Sequence, residues 1–583
     1  MPHDTPLLAT IAAALMAAWV LGILAQKLRL SPIVGYLLAG VAIGPHTPGF
    51  VGDVGLASQL AEVGVVLLMF GVGLHFHLED LVEVRRIAIP GALLQSTVAT
   101  LLGLATGLAF GWPATEGLVL GMALSVASTV VLLRGLEAQN LVGTPAGHAA
   151  IGWLLFEDIL TVIVLVVIPV LAASHGSTAP GAALLASLAA ALGKLVVLIA
   201  LVFLAGSRLV PWVLLQVTGL RSRELFTLTI LALAVAIATG AAVFFGASIA
   251  LGAFLAGMVV GQSAVSEQAG ANALPLRDAF AVLFFVSVGM LFDPAFLVRE
   301  PFLLLAALGV VLIGKPLAAL AVVAVLGYST RTALVVAVGL AQIGEFSFIL
   351  GDLARHHDLL SETGHSLLVA CALVSISINP FLFQWLDPLE SLLRRRPTLW
   401  RLLNAAATRR QNAVNRATAE TIEERKRPLA VVVGYGPVGQ AVERVLRHVG
   451  TETVVVDLNI DTVTGLVGQG RLALYGDASH GEILKQAGIA RARHLVITLP
   501  HSVNRAPMIA SARQLNPRCR IFVRARYLQE REELEQVGAD GACFEEVEAA
   551  VALTARVLAD LGIDGATIAK ETARVRRETL VLP

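Results

Sequence analysis

Residues 151–170 read IGWLLFEDILTVIVLVVIPV, an apolar run long enough to cross a bilayer that nevertheless carries Glu157 and Asp158 side by side. A carboxylate at the centre of a membrane helix costs about 2.5–3.5 kcal/mol on insertion scales, so it faces protein or a water-filled cavity rather than lipid. The pair therefore marks a proton or cation site. It also sets the fold class of this part of the chain, a polytopic α-helical membrane protein with its chemistry at depth.

Composition agrees. Of 583 residues, 56% are hydrophobic and only 14% charged, with a mean hydropathy of +0.79. A soluble domain of this length needs more polar surface, so most of the chain dissolves in lipid. The formal net charge of +0 argues against a polyanionic partner such as nucleic acid. Cys371 falls in an expected span, and Cys519 and Cys543 lie in the C-terminal region; none has metal-ligand or CxxC spacing, which reads as reduced thiols facing a cytosol. The first apolar run, 7–24, lacks a basic segment before it and leads directly to Lys27, Arg29 and a second apolar run, as a retained helix does.

Cutting the apolar runs at polar, Gly and Pro breaks predicts about thirteen spans, near 7–25, 32–48, 57–74, 87–110, 115–135, 149–173, 182–206, 225–241, 244–261, 275–292, 301–327, 332–353 and 365–389. Lys27, Arg29, Arg85, Arg86, Arg134, Arg208, Arg221, Arg223, Arg277 and Arg331 cluster at odd-numbered span ends, against Arg299 and Arg355 at even ones. The positive-inside rule then places the N-terminus outside and everything beyond residue 390 in the cytosol. The expected organisation is a transmembrane domain over 1–390, a basic linker over 391–427, an α/β domain over 428–560 and a tail over 561–583.

Two spans carry polar groups that a continuous lipid-facing helix would avoid: Ser125-Val126-Ala127-Ser128-Thr129, and Ala341-Gln342-Ile343-Gly344-Glu345-Phe346-Ser347. Such runs predict helices that unwind at depth, where the broken backbone lines a cavity and half-helix ends coordinate ions. These spans are the fifth and the twelfth, an offset that reverses orientation, as in an inverted repeat. Lys315, well inside span 301–327, needs a neutralising partner, and the Glu157–Asp158 pair is the obvious one. Asp158, Glu157, Lys315, Ser128, Thr129, Gln342 and Glu345 thus form an expected exchange site in which a cation and protons compete for the same oxygens. His75, His77, Glu79 and Asp80, at a span end, read as interfacial residues rather than a metal site, and no structural metal is expected.

Beyond the linker the composition turns soluble. A hydrophobic strand runs into Gly434-Tyr435-Gly436-Pro437-Val438-Gly439, then a helix, then a second strand ending at Asp457. Strand, GxGxxG turn, helix and a distal acidic residue together predict a Rossmann nucleotide-binding domain. The glycines permit the tight turn and close approach of backbone to phosphate, and Asp457 is placed to take ribose hydroxyls. Asp477 and Ala478 follow the third strand on the adenine side, Thr498 ends the fourth, and Arg524 ends the fifth where it can meet phosphate. No hydride-acceptor pocket follows, which favours sensing over redox catalysis; the chain is not expected to be an enzyme.

With these residues in view, the chain resembles the Kef/YbaL-type monovalent cation:proton antiporters that carry an RCK (TrkA-N) domain, closest to the YbaL branch. The resemblance rests on LSPIVGYLLAGVAIGP, VGVVLLMFGVGL, SVASTVVLL, WLLFEDI, PLRDAFAVLFFVSVGM, LAQIGEFSFIL and VVGYGPVG, in that order. It implies a NhaA/NapA-like fold in the bacterial inner membrane, with two crossed broken helices. It also implies a homodimer through membrane and RCK domains, in which a core bundle moves like an elevator. Asp158 would be the carboxylate that binds cation or proton, with Glu157 paired to Lys315. Potassium-efflux relatives have Gln before this Asp and sodium exporters have Asp; here it is Glu157, and potassium is the expected cation ahead of sodium. The loop VVGQSAVSEQAGANALPLRDAF departs from the acidic inhibitory loop of glutathione-gated relatives. The implied regulatory ligand is an adenine nucleotide, AMP or NAD(H), and the implied surroundings are membrane lipids. Two other readings compete. A nucleotide-gated channel is disfavoured by the absence of a TVGYG-like filter. A membrane NAD-dependent oxidoreductase is disfavoured by the absence of any electron acceptor.

Overall fold

The computed structural model describes residues 6–28, 30–48, 50–74, 78–142, 144–174, 181–263, 265–424, 429–499 and 504–581. His75 and His77 lie outside them, as do Arg29 and part of the basic linker. The chain divides into two units, Met1–Leu403 and Asn404–Pro583.

The first unit is helical throughout. It begins with α1 (Pro6–Lys27), α2 (Pro32–Ile43), α3 (Val54–Leu74), α4 (Leu78–Ala109), α5 (Ala114–Ser125), α6 (Thr129–Ala138) and α7 (Pro145–Ser174). It continues with α8 (Gly181–Gly219), α9 (Arg223–Phe245), α10 (Ile249–Gly261), α11 (Ser266–Met290) and the single turn α12 (Phe296–Arg299). Then come α13 (Pro301–Gly309), a π-helical turn (Val310–Gly314), α14 (Lys315–Val325), α15 (Thr330–Gly339), α16 (Glu345–His356), α17 (Glu362–Gln384) and α18 (Leu386–Arg394). Among the described residues nine helical segments are long and apolar enough to cross a membrane, with α2, α10 and α15 as shorter apolar helices. Large apolar side chains such as Phe244, 82% exposed, point outward, which water would penalise and lipid does not.

Serines punctuate this apolar chain. Ser128, Ser222, Ser248, Ser329 and Ser361 each accept a backbone N–H from the first turn of the helix that follows, satisfying one of its free donors. The helices form two groups by packing. In one, α2 lies on α11 and α3 lies on α10 and α11; in the other, α4 and α7 pack with α5, α14, α15 and α16. Small residues bring backbones together, since a Cβ on Gly40 would stand 2.0 Å from the Val286 carbonyl and one on Gly257 2.1 Å from that of Phe70.

The second unit opens inside α19 (Pro397–Glu424). It alternates β1 (Leu429–Val433), α20 (Pro437–His448), β2 (Glu452–Asp457), α21 (Ile460–Gly468), β3 (Leu472–Tyr475), α22 (Gly481–Gln486), β4 (Ala492–Ile497), α23 (Ala506–Leu515), β5 (Arg520–Ala525), α24 (Arg531–Val537) and β6 (Gly541–Phe544). Helices α25 (Glu545–Asp560) and α26 (Gly565–Val581) close the chain. All pairings are parallel in the order β3-β2-β1-β4-β5-β6, the doubly wound dinucleotide arrangement.

Candidate ion site and nucleotide cleft

Two helices break inside the first unit, one at Val126–Ser128 between α5 and α6, the other at Leu340–Gly344 between α15 and α16. The breaks cross in contact: a Cβ on Gly344 would lie 2.8 Å from the Ala127 carbonyl carbon and oxygen and from Ser128 N. In a water-poor interior every backbone group freed by unwinding needs a partner, and here side chains supply them. The Gln342 amide spans the crossing, accepting from Ser128 N (3.0 Å) and donating to Ser128 O (3.0 Å) and Gly339 O (3.3 Å). Ala127 N donates to Glu157 Oε2 at 3.1 Å, and Ile343 N to Ser375 Oγ at 3.4 Å. Carbonyls are met likewise: Gln95 Nε2 donates to Ser125 O (3.3 Å), Ser347 Oγ to Val126 O (3.5 Å) and Asn379 Nδ2 to Val338 O (2.8 Å).

Lys315 is fully buried, and its Nζ donates to Gln342 O at 3.0 Å, placing a cation where α15 ends and its carbonyls point. The π-helical turn before it accommodates Pro316, which has no N–H to donate within a regular α-helix. Lys315 and Glu157 interact through space, but among the described residues no direct ion pair joins them. Glu345 occupies the first turn of α16, where a carboxylate offsets the positive end of the half-helix.

Glu157 and Asp158 are 1% and 2% exposed. Thr129 Oγ1 donates to Asp158 Oδ2 at 3.4 Å, and Asp158 feels both Glu157 and Glu345 electrostatically. Each acid keeps one buried oxygen without a hydrogen-bond partner: Glu157 Oε1, Asp158 Oδ1 and Glu345 Oε2. The seven residues expected from the sequence thus fall in one connected set. Gln95, Trp153, Ser375 and Asn379 were not expected; Trp153 Nε1 donates to Gln95 Oε1 at 3.4 Å, continuing the chain to Ser125. Their only sequence signal is a lone polar or indole group inside an apolar run.

In the second unit the Gly434–Gly439 turn leads from β1 into α20, which has Gly436 as its N-cap and Pro437 at its first position. Gly434 has φ +92°, which suits glycine, and a Cβ on Gly439 would stand 2.0 Å from Gly434 O. A Cβ on Gly436 would meet nothing within 4 Å, so the space beside the N-cap of α20 is open, as an anion at a helix N-terminus requires. Val438 is an exposed residue of that first turn. Asp457 accepts Tyr435 N at 2.6 Å and Asn459 N at 2.7 Å; burial pushes its carboxyl up from the ordinary aspartate value against the pull of these N–H donors. Thr498 is buried, and its hydroxyl bonds the carbonyls of Val433 (3.0 Å) and Gly434 (2.9 Å), holding the glycine turn. Arg524 is engaged by Glu545 at 2.6 Å and by Thr498 O at 3.3 Å. Asp477 Oδ1 accepts Ser479 N at 2.8 Å beside the buried Ala478.

Helix α19 is fastened to this cleft. Asn415 grips both backbone groups of Tyr475, each at 2.9 Å, and Arg410 pairs with Asp461 at 2.6 Å. Val414 packs on the apolar cluster that also takes the rings of Tyr435 and Tyr475.

A helical membrane bundle with two broken helices crossed over buried carboxylates, joined to a doubly wound Rossmann unit, defines a secondary ion transporter carrying a nucleotide-type domain. The chain belongs to the sodium/hydrogen exchanger family: that family's transmembrane profile matches residues 11–386, and the TrkA-N domain profile matches residues 430–545. It is 46% identical over 557 residues to the candidate cation/proton antiporter YbaL of Escherichia coli (strain K12), covering 94% of this chain and 97% of that one. It is 30% identical over 558 residues to the glutathione-regulated potassium-efflux system protein KefC of Cronobacter sakazakii (strain ATCC BAA-894), covering 95% and 85%. The crystal structure of the TrkA-N domain of inner membrane protein ybaL from Escherichia coli is 30% identical, covers 23% of this chain and 97% of that one, and gives a TM-score of 0.21.

Proposed function

We propose that the chain exchanges a monovalent cation, potassium ahead of sodium, for protons across the bacterial inner membrane. The observation that carries this is the trio of buried, unpartnered oxygens on Glu157, Asp158 and Glu345 at the helix crossing. Asp158 lies in the field of both Glu157 and Glu345, while Lys315 acts on Glu157 and Arg277 on Glu345; three buried carboxylates against two cations leave an excess of negative charge that a cation or protons must neutralise. Asp158 is the binding carboxylate and Thr129 orients it. Glu157 holds the α5–α6 break and shares the field of Lys315. The relative KefC, named for potassium efflux, supports potassium as the ion.

The two packing groups of helices support an elevator motion in which the group holding the crossing moves past the other, and the working unit is a homodimer with its N-terminus outside. The open glycine turn and the α20 N-terminus fit a phosphate, and Asp457 fits a ribose hydroxyl through its remaining lone pairs; an adenine nucleotide, AMP or NAD(H), is the regulatory ligand. Helix α19 carries its effect toward the membrane unit. The test is flux in proteoliposomes under an imposed pH gradient with K+, Na+ and Li+ compared. Cation-dependent proton movement is expected; cation flux indifferent to the pH gradient would make the protein a channel instead.

A further inference from the structure

We propose that α18 and the start of α19 form a docking surface for the headgroups of anionic phospholipids in the leaflet where the last span ends. Seen end on, α18 has three sides. Leu386 is buried and Leu393 half-buried against the helical core. On a second side Asp387 and Glu390 are engaged by Arg331, at 2.5 and 3.2 Å, and Arg394 binds Glu390 at 2.7 Å. The third side presents Leu389 and Leu392 outward. Trp385, which follows α17 and is 69% exposed, and Leu399 and Leu402 of α19, the latter 72% exposed, are further outward apolar side chains of the same stretch.

The charges of the same stretch are unequal. Over 385–403 there are four arginines, Arg394, Arg395, Arg396 and Arg401, against two carboxylates, Asp387 and Glu390, and both carboxylates are already paired. Arg394 also lies over the Trp400 ring at 5.2 Å, fixing the turn between the helices. Arg395 and Arg396 are exposed, and among the described residues their guanidinium groups have no protein partner. Arg401 gives only its Nε, to Pro397 O at 3.2 Å. Cationic guanidinium groups directly beside Trp and Leu at the end of a membrane span match the two halves of one molecule, a phosphate headgroup and its acyl chains. Free phosphate would use only the charged half.

The inference rests on the proposed orientation only in naming the leaflet, and the test does not need it. The purified full chain in detergent is titrated with phosphatidylglycerol, phosphatidylcholine or inorganic phosphate, and lipid retention is read by native mass spectrometry beside the thermal midpoint. Phosphatidylglycerol is expected to be retained and to raise the midpoint, with an affinity that falls as salt rises. At about fivefold in affinity per arginine, Arg395→Gln/Arg396→Gln should weaken retention about 25-fold. Leu389→Ser/Leu392→Ser should weaken it too while leaving the salt dependence in place. Equal retention of phosphatidylglycerol by wild type and the arginine variant, equal retention of phosphatidylcholine, or the same stabilisation by phosphate alone would each overturn the proposal. Flux measured on the same preparation keeps the readings apart: retention without exchange would sink the transport function and leave the surface standing.

Discussion

Asp158 and Gln342 stand a few ångströms from the same crossing, yet their loss should be felt in opposite ways. Asp158→Asn keeps the volume and the bond from Thr129 but removes a releasable proton, so exchange is expected to fall to background while stability in detergent stays within about 1 kcal/mol of wild type. Wild-type flux from a well-folded Asp158→Asn protein would remove this residue from the mechanism. Gln342→Ala strips partners from both backbone groups of Ser128 at once. At about 1–3 kcal/mol for each buried group left bare, the cost is about 2–6 kcal/mol, so thermal unfolding should show a large drop before transport is even assayed. Lys315→Ala belongs with Gln342, because the ammonium serves the Gln342 carbonyl as well as the field at Glu157. A double-mutant cycle of Lys315→Ala with Glu157→Gln should give a coupling of about 0.5–3 kcal/mol, and none if the two act independently.

At the scale of elements, the breaks are what hold the site, and Gly344 is where they touch. A methyl there would meet backbone atoms of Ala127 and Ser128 at 2.8 Å, which cannot rotate away, so Gly344→Ala should cost about 1–3 kcal/mol and abolish exchange; full flux in that variant would mean the crossing tolerates separation. Both breaks were legible in the sequence because Ser125–Thr129 and Gln342–Ser347 interrupt otherwise apolar runs. The partners that satisfy them were not. Gln95, Ser375 and Asn379 are single polar residues in hydrophobic helices, and each finds its backbone group about 30 to 40 positions away, a relation set by packing rather than by spacing. The π-helical turn before Lys315 leaves no mark on hydrophobic periodicity, so the direction of the ammonium toward the end of α15 was hidden as well. In the Rossmann unit β1, β2, β4 and β5 announced themselves through Val, Ile and Thr, and β3 as the apolar run Leu472–Tyr475, whereas β6, Gly541–Phe544, opens on glycine and carries no β-branched residue. The glycine turn was plain. That Thr498 spends its hydroxyl on the turn, and Arg524 its guanidinium on Glu545, depended on the sheet order.

For the whole molecule, the proposed control of transport by a nucleotide in the second unit requires that the nucleotide bind the two transport states unequally, since equal affinity would shift nothing. Helix α19 is the physical candidate for the link. It follows the last span after α18, and it is bound to both edges of the cleft: Asn415 on Tyr475 just before Asp477, and Arg410 on Asp461 just after Asp457. Ligand contacts that shift Asp457 or the 476–478 turn must therefore be transmitted to α19 or break these bonds. Two variants separate binding from transmission. Gly436→Asp puts a negative side chain into the open phosphate cradle, and is expected to abolish nucleotide binding and with it any response of flux. Asn415→Ala leaves the cradle intact, so titration calorimetry on the full chain should show binding within a few-fold of wild type. The nucleotide response of flux, about 5- to 150-fold for an ordinary allosteric coupling, should nevertheless shrink or vanish. An Asn415→Ala protein that binds nucleotide and responds as the wild type does would show that α19 is a tether and that the signal passes elsewhere. Nucleotide binding in the wild type without any change of flux would reduce the whole second unit to a stabilising element.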